Sequence, residues 1–153
     1  MSGTLSGRQS TANVLLLGFI AGALATLTFH QITIWILSAA GVIQGAAYSF
    51  RGVPPLSVPA VVNITFWGAL WGCIFALLAD RFPRTWPLWL AGLVFGAIAP
   101  TLVQWFVVDP IKGRPVAGGF NPARMWIGPL INGMWGLGAA LFYDLLRRRA
   151  PSL

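Results

Sequence analysis

The stretch Gly18-Phe-Ile-Ala-Gly-Ala-Leu-Ala-Thr-Leu-Thr-Phe-His-Gln31 decides how this chain folds, because it is apolar and carries small residues at helical spacing. Residues four positions apart share one face of a helix, so Gly18, Gly22, Thr26 and His30 form a narrow stripe. Glycines on such a stripe let a second helix approach closely, and a histidine there faces that neighbour rather than lipid. The stretch predicts a membrane helix that packs along this stripe.

The composition extends this prediction to the whole chain. Its 153 residues are 57% apolar and only 8% charged, whereas soluble domains contain roughly 25% charged residues. Four apolar segments each approach the roughly 20 residues that span a bilayer, and we expect helices at about 14–38, 61–79, 86–108 and 125–146. The sequence therefore predicts an all-α membrane protein with four transmembrane helices.

The first apolar segment also resembles a cleavable signal peptide, with Arg8 ahead of an apolar run and the small residues Ala23-Leu-Ala25 after it. A retained helix is favoured because the apolar character continues well past Ala25. Residues 1–13 are polar and are expected to form a cytoplasmic tail, and residues 150–153 a second short tail.

The net charge of +7 is distributed at the segment ends, where cytoplasmic retention and contact with anionic lipid explain it, so no nucleic acid is expected as a partner. Alternate sides of the four spans carry six and four basic residues. The six are Arg8, Arg81, Arg84, Arg147, Arg148 and Arg149; the four are Arg51, Lys112, Arg114 and Arg124. The excess predicts that both termini are cytoplasmic. The lipid bilayer itself is the expected partner.

The chain also contains an apparent internal repeat. A shift of 74 residues superposes Leu16, Gly18, Gly22, Ala23 and Ala25 on Leu90, Gly92, Gly96, Ala97 and Ala99. A shift of 64 superposes Trp71, Gly72, Ala76, Leu77 and Asp80 on Trp135, Gly136, Ala140, Leu141 and Asp144. Composition bias is the alternative explanation, but the Trp-Gly…Ala-Leu…Asp match is harder to obtain in that way. We expect two tandem parallel two-helix repeats, over 14–84 and 85–149.

The repeat explains the glycines, because every span then offers one stripe of small residues for helix packing. The residues predicted to pack are Gly18, Gly22, Gly68, Gly72, Gly92, Gly96, Gly128 and Gly136. The single cysteine, Cys73, lies in an apolar segment and is expected to be a small packing residue.

Polar side chains inside the spans form the candidate functional site. They are His30, Gln31, Asn63, Gln104 and Asn132. Each is expected to pair within the bundle, as hydrogen bonds between helices or as a site for a proton, a small polar solute or a lipid. His30 and Gln104 fall at equivalent positions of the repeat. One histidine without cysteine or carboxylate ligands is too few for a metal or haem, so no cofactor is expected.

The sequence contains no nucleophile elbow, phosphate loop or paired carboxylates, and we do not expect an enzyme. A structural or accessory membrane subunit that acts through helix–helix contacts is the favoured function. Its partner is expected to be a homo-oligomer or a larger membrane complex. The alternative is a small transporter or channel-like protein with its polar site at His30 and Gln104.

Three motifs carry a resemblance to known proteins. The Gly18-Phe-Ile-Ala-Gly22 motif and the proline-bearing loops resemble the small bacterial inner-membrane proteins of the YagU kind. Phe29-His-Gln31 and Phe66-Trp-Gly-Ala-Leu-Trp-Gly72 are similar to motifs of four-span bacterial membrane proteins. The resemblance implies a multi-pass protein of the bacterial inner membrane and implies no activity.

Overall fold

The structure, a computed structural model, describes residues 10–150. Within these residues, four helices are long and apolar enough to cross a membrane: Thr11–Ala39 (α1), Ala60–Arg81 (α2), Leu88–Ile111 (α3) and Pro122–Arg149 (α4). The prediction of an all-helical chain with four such helices is confirmed. Most of residues 1–13 and of 150–153, the two expected tails, lie outside the described residues.

Capping residues explain why α1 and α4 begin three residues before the apolar segments. Ser10 precedes α1 in extended conformation, and its side-chain oxygen accepts a hydrogen bond from the backbone N–H of Asn13 at 3.2 Å. Asn121 precedes α4 and accepts from the N–H of Ala123 at 3.0 Å, with Pro122 in the first turn. Both residues satisfy N–H groups that have no partner inside a helix, so the helices extend into polar sequence.

Two of the helices contain a wider, π-helical turn. In α1 this turn covers Thr26–His30, and in α3 it covers Gln104–Val108. Pro100 lies inside the α-helical part of α3, Leu88–Val103, and the π-helical turn begins four residues after it. Pro100 has no N–H to donate to the Gly96 carbonyl, and the hydroxyl of Thr101 donates to that oxygen instead, at 3.5 Å.

Helices α1 and α2 pack with their backbones in contact. A methyl group added at Gly18 would lie 2.6 Å from the Cβ atom of Ala76 and 3.1 Å from the Cα atom of Cys73. One added at Gly22 would lie 2.9 Å from the Cα atom of Gly72 and would also meet the carbonyl oxygen of Gly68. The predicted glycine stripes therefore form the contact surface of this pair.

Helices α3 and α4 pack in the same way. A methyl group added at Gly92 would lie 2.5 Å from the Cβ atom of Ala140 and would meet the carbonyl oxygen of Gly136. One added at Gly96 would lie 2.9 Å from the Cα atom of Gly136 and 3.0 Å from the carbonyl carbon of Asn132. Gly128 has a looser environment, with the indole of Trp105 3.3 Å from such a methyl group.

The core that joins the two pairs contains both small and aromatic residues. Ala21 and Ala25 of α1 are fully buried in the same cluster as Ala139 of α4. Phe75 of α2 is 1% exposed, and the centre of its ring lies 5.6 Å from that of Phe95 in α3. Aromatic side chains thus fill the space between α2 and α3.

The connections differ in length and structure. Residues 40–59 join α1 to α2 and contain a short antiparallel hairpin of β1 (Gly52–Val53) and β2 (Val58–Pro59), with a cis peptide bond between Pro54 and Pro55. A tight connection of residues 82–87 joins α2 to α3. Residues 112–121 join α3 to α4 and include the left-handed glycines Gly113, Gly118 and Gly119.

Candidate functional site

The stripe of α1 faces the interior, as the sequence predicts. Gly18, Gly22, Thr26 and His30 are all buried. The hydroxyl of Thr26 donates to the carbonyl oxygen of Gly22 at 2.9 Å and occupies the space that a side chain at Gly68 would need. The absence of a side chain at Gly68 therefore makes room for Thr26.

His30 ends the π-helical turn of α1 and is 7% exposed. Its Nδ1 atom is buried, and among residues 10–150 it is the one buried side-chain nitrogen or oxygen without a hydrogen-bond partner. An unpaired polar atom in a bundle interior is costly, so native structures pair nearly all of them. His30 thus differs from every other buried polar side chain in the described part of the chain.

Gln31 holds the first loop against α1. The side chain is 3% exposed, and its Oε1 atom accepts a hydrogen bond from the backbone N–H of Tyr48 at 2.7 Å. The hydroxyl of Tyr48 donates in turn to the carbonyl oxygen of Leu27, also at 2.7 Å. Two hydrogen bonds at one loop residue fix the loop over the π-helical turn.

Gln104 forms its hydrogen bond within α3 rather than with a neighbouring helix. Its Nε2 atom donates to Oδ1 of Asp109 at 2.6 Å, and the same carboxylate oxygen forms an ion pair with Arg114 at 2.7 Å. The hydrogen bonds of residues 10–150 do not include one between Gln104 and His30, the two residues that the shift of 74 superposes.

Asn132 forms a hydrogen bond between two helices. Its Nδ2 atom donates to Oγ1 of Thr101 at 2.9 Å, and Thr101 is 1% exposed. The bond links α4 to α3 just beyond the glycine contact of the same pair. Asn63, the fifth predicted polar residue, is half-buried near the start of α2.

Trp135 links the two helix pairs, a role that its place in the repeat match did not indicate. The residue is 3% exposed, and its indole N–H donates to the carbonyl oxygen of Gly22 at 3.1 Å. That oxygen also accepts from the backbone N–H and the hydroxyl of Thr26. The feature of the sequence that could have indicated this role is the position of Trp135 directly before Gly136 of the α4 glycine stripe.

A second polar region lies where the α2–α3 connection meets the end of α4. A cavity of about 350 Å³ is lined there by Asp80, Arg84 and Arg147, with Trp86 and Phe82 among its apolar walls. The i,i+4 spacing of Asp144 and Arg148 favours an ion pair. This pair is present at 2.6 Å, and Arg147 contacts the same carboxylate at 2.7 Å.

An apolar groove of about 360 Å³ lies on the outer surface between α1 and α2. Its walls are Phe19, Ala23, Leu27, Val61, Val62, Thr65, Phe66 and Ala69. Within residues 10–150, no group of three or more His, Cys, Asp or Glu side chains could hold a metal ion.

Comparison with protein families, curated proteins and solved structures finds no match. The class of the protein therefore follows from its own structure. Four helices that could each cross a membrane are compatible with a multi-pass integral membrane protein.

Proposed function

We propose that the chain is a structural or accessory subunit of the bacterial inner membrane, with both termini in the cytoplasm, and that it acts through helix–helix contacts. The observation that carries this proposal is the use of the buried polar groups. Asn132 and Trp135 form hydrogen bonds between helices, and Gln31 forms one with the first loop. The helices of each pair contact each other through their backbones along the glycine stripes, which leaves no space between them for a solute pathway.

The proposal includes an internal duplication into two tandem parallel two-helix repeats. This part of the proposal is supported by the contacts of the residues that the shifts of 74 and 64 superpose, because these contacts correspond in the two helix pairs. Gly18 meets Gly72 and Ala76, while its counterpart Gly92 meets Gly136 and Ala140. Chance similarity of glycine-rich helices would not require these contacts to correspond. The proposed likeness to the YagU kind of protein agrees with a location in the bacterial inner membrane.

The exposed surface of the spans supports a role in association. The face away from the core carries large apolar side chains, among them Phe66, Leu102 and Leu141, which are 51%, 46% and 45% exposed. A membrane helix with such a face can contact lipid or a further helix. The proposed partner is a second copy of this chain or another membrane protein.

Crosslinking in native membranes tests this function. Single cysteines at Phe66, Leu102 and Leu141, in a Cys73→Ala background, sample the exposed sides of three different helices. We expect one face to give a crosslinked product of higher mass while the other two serve as matched controls. Absence of a product from all three faces, together with a lone monomer in mild detergent, would contradict the proposal.

A transporter or channel-like activity is the second candidate, and the unpaired Nδ1 atom of His30 favours it. An intramembrane ionisable residue is a common element of a proton or solute pathway. If the site operates, His30→Leu and Gln104→Leu abolish a proton or solute flux measured in liposomes, while Gln44→Leu in the exposed first loop does not. A flux that persists in both leucine variants excludes this site.

A further inference from the structure

The cavity at the α2–α3 connection has charges of both signs. Asp80 lies in the last turn of α2, Arg84 lies in the connection, and Arg147 reaches the cavity from α4. Phe82, Trp86 and Leu88 supply apolar walls. The cavity therefore combines a carboxylate and two guanidinium groups with an apolar surface.

The ion pairs leave two of these charges available. Arg147 contacts Asp144, and Arg148 contacts the second oxygen of that carboxylate. Within residues 10–150, neither Asp80 nor Arg84 forms an ion pair, with each other or with another side chain, although both are exposed and line the same cavity. Opposite charges that face one cavity without meeting are suited to a ligand that itself carries both charges.

The position of the cavity indicates which ligand. It lies at the ends of helices that are long enough to cross a membrane. Trp86 and Trp89 lie at the same end and are 40% and 46% exposed, as is usual for tryptophans at the depth of lipid headgroups. Guanidinium groups bind phosphate oxygens with paired hydrogen bonds. The cavity therefore lies at the depth in the membrane where phospholipid headgroups are found.

We propose that the cavity binds the headgroup of an aminophospholipid of the phosphatidylethanolamine type, with the phosphate on Arg84 and the primary ammonium on Asp80. Asp80 would repel an anionic headgroup that has no compensating amine. A choline headgroup keeps the positive charge but has no N–H to donate, so it lacks the charge-assisted hydrogen bond to the carboxylate. The shared ligand chemistry is a phosphate joined to a primary amine, as in soluble phosphoethanolamine; the apolar walls favour the lipid.

The experiment measures binding of lipids with identical acyl chains to the purified full chain in mild detergent, by native mass spectrometry. Phosphatidylethanolamine, phosphatidylcholine and phosphatidylglycerol are compared with soluble phosphoethanolamine. We expect phosphatidylethanolamine to bind about tenfold more tightly than the other two lipids, as one charge-assisted hydrogen bond provides. Asp80→Asn should remove this preference, because it weakens the binding of phosphatidylethanolamine more than that of phosphatidylcholine.

Two further variants separate the phosphate contact from general charge. Arg84→Gln should weaken all three lipids, whereas Arg124→Gln, the same change in an exposed residue at the opposite end, should weaken none. Equal affinity for the three lipids, or a preference that survives Asp80→Asn, overturns the proposal. Equally tight binding of soluble phosphoethanolamine overturns the assignment to lipid. No partner protein is present, so this result is independent of the proposed accessory function.

Discussion

Gly136→Ala is expected to destabilise the bundle by about 1–3 kcal/mol, the usual cost of forcing an extra group into a packed interior. The added methyl group would lie 3.0 Å from the Cα atom of Gly96 and 2.9 Å from the carbonyl carbon of Gly92. Both contacts are with backbone, so no side chain can rotate away, and α3 and α4 must separate. Detergent-induced unfolding of the purified protein, followed by tryptophan fluorescence, measures the loss.

Gly133→Ala, three residues earlier on the same helix, is the matched control. Its methyl group would lie 3.4 Å from the Cβ atom of Ala97, which is ordinary van der Waals contact. Both variants gain the same small increase in helix propensity, so their difference isolates the packing effect. Equal stability of the two variants would refute the backbone contact. Gly72→Ala should reproduce the loss if the helix pairs are true repeats, because Gly72 has the corresponding contacts.

Trp135→Ala is expected to cost about 3 kcal/mol, the low end of the range for a large aromatic residue removed from a soluble core. The low end applies because lipid, unlike water, solvates an apolar side chain after the helices separate. The substitution removes a nearly fully buried indole and its hydrogen bond to Gly22, which joins α4 to α1. The same unfolding titration measures the effect.

Two further variants separate the causes of the stability lost in Trp135→Ala. Trp135→Phe keeps most of the ring and removes the hydrogen bond, so it should cost about 0.6–1.7 kcal/mol, as single interhelical hydrogen bonds do. Trp89→Ala removes a tryptophan that is 46% exposed and should have a small effect. If Trp135→Ala is no more destabilising than Trp89→Ala, Trp135 does not join the two helix pairs.

The polar residues show where prediction from sequence reaches its limit. The proposed repeat gives His30 and Gln104 equivalent positions, and the matched glycines before them make corresponding contacts. However, His30 ends the π-helical turn of α1, whereas Gln104 begins the one in α3. A π-helical turn inserts one residue, which rotates everything after it by about 100° around the helix axis. Side chains at equivalent positions then point in different directions.

Prediction of the hydrogen-bond partners from the sequence is limited in the same way. The sequence indicated that Gln31, Gln104 and Asn132 would be paired, because unpaired polar groups are costly in a bundle. It did not indicate that Gln31 would bind a loop backbone or that Asn132 would bind Thr101. These choices depend on the rotation and depth of two elements relative to each other, which no local pattern contains.

The sequence by itself determined the four long apolar helices, the buried stripe of α1 and the ion pair of Asp144 with Arg148, since hydropathy, length and i,i+4 spacing are local properties of one segment. Only the tertiary structure decided that Trp135 joins the two pairs, that His30 keeps an unpaired nitrogen, and that Asp80 and Arg84 share a cavity. The physical reason is that each of these depends on atoms far apart in the chain. Close contact between the glycine stripes, together with the two π-helical turns, sets the positions of these atoms. The contacts therefore form only when all four helices are packed.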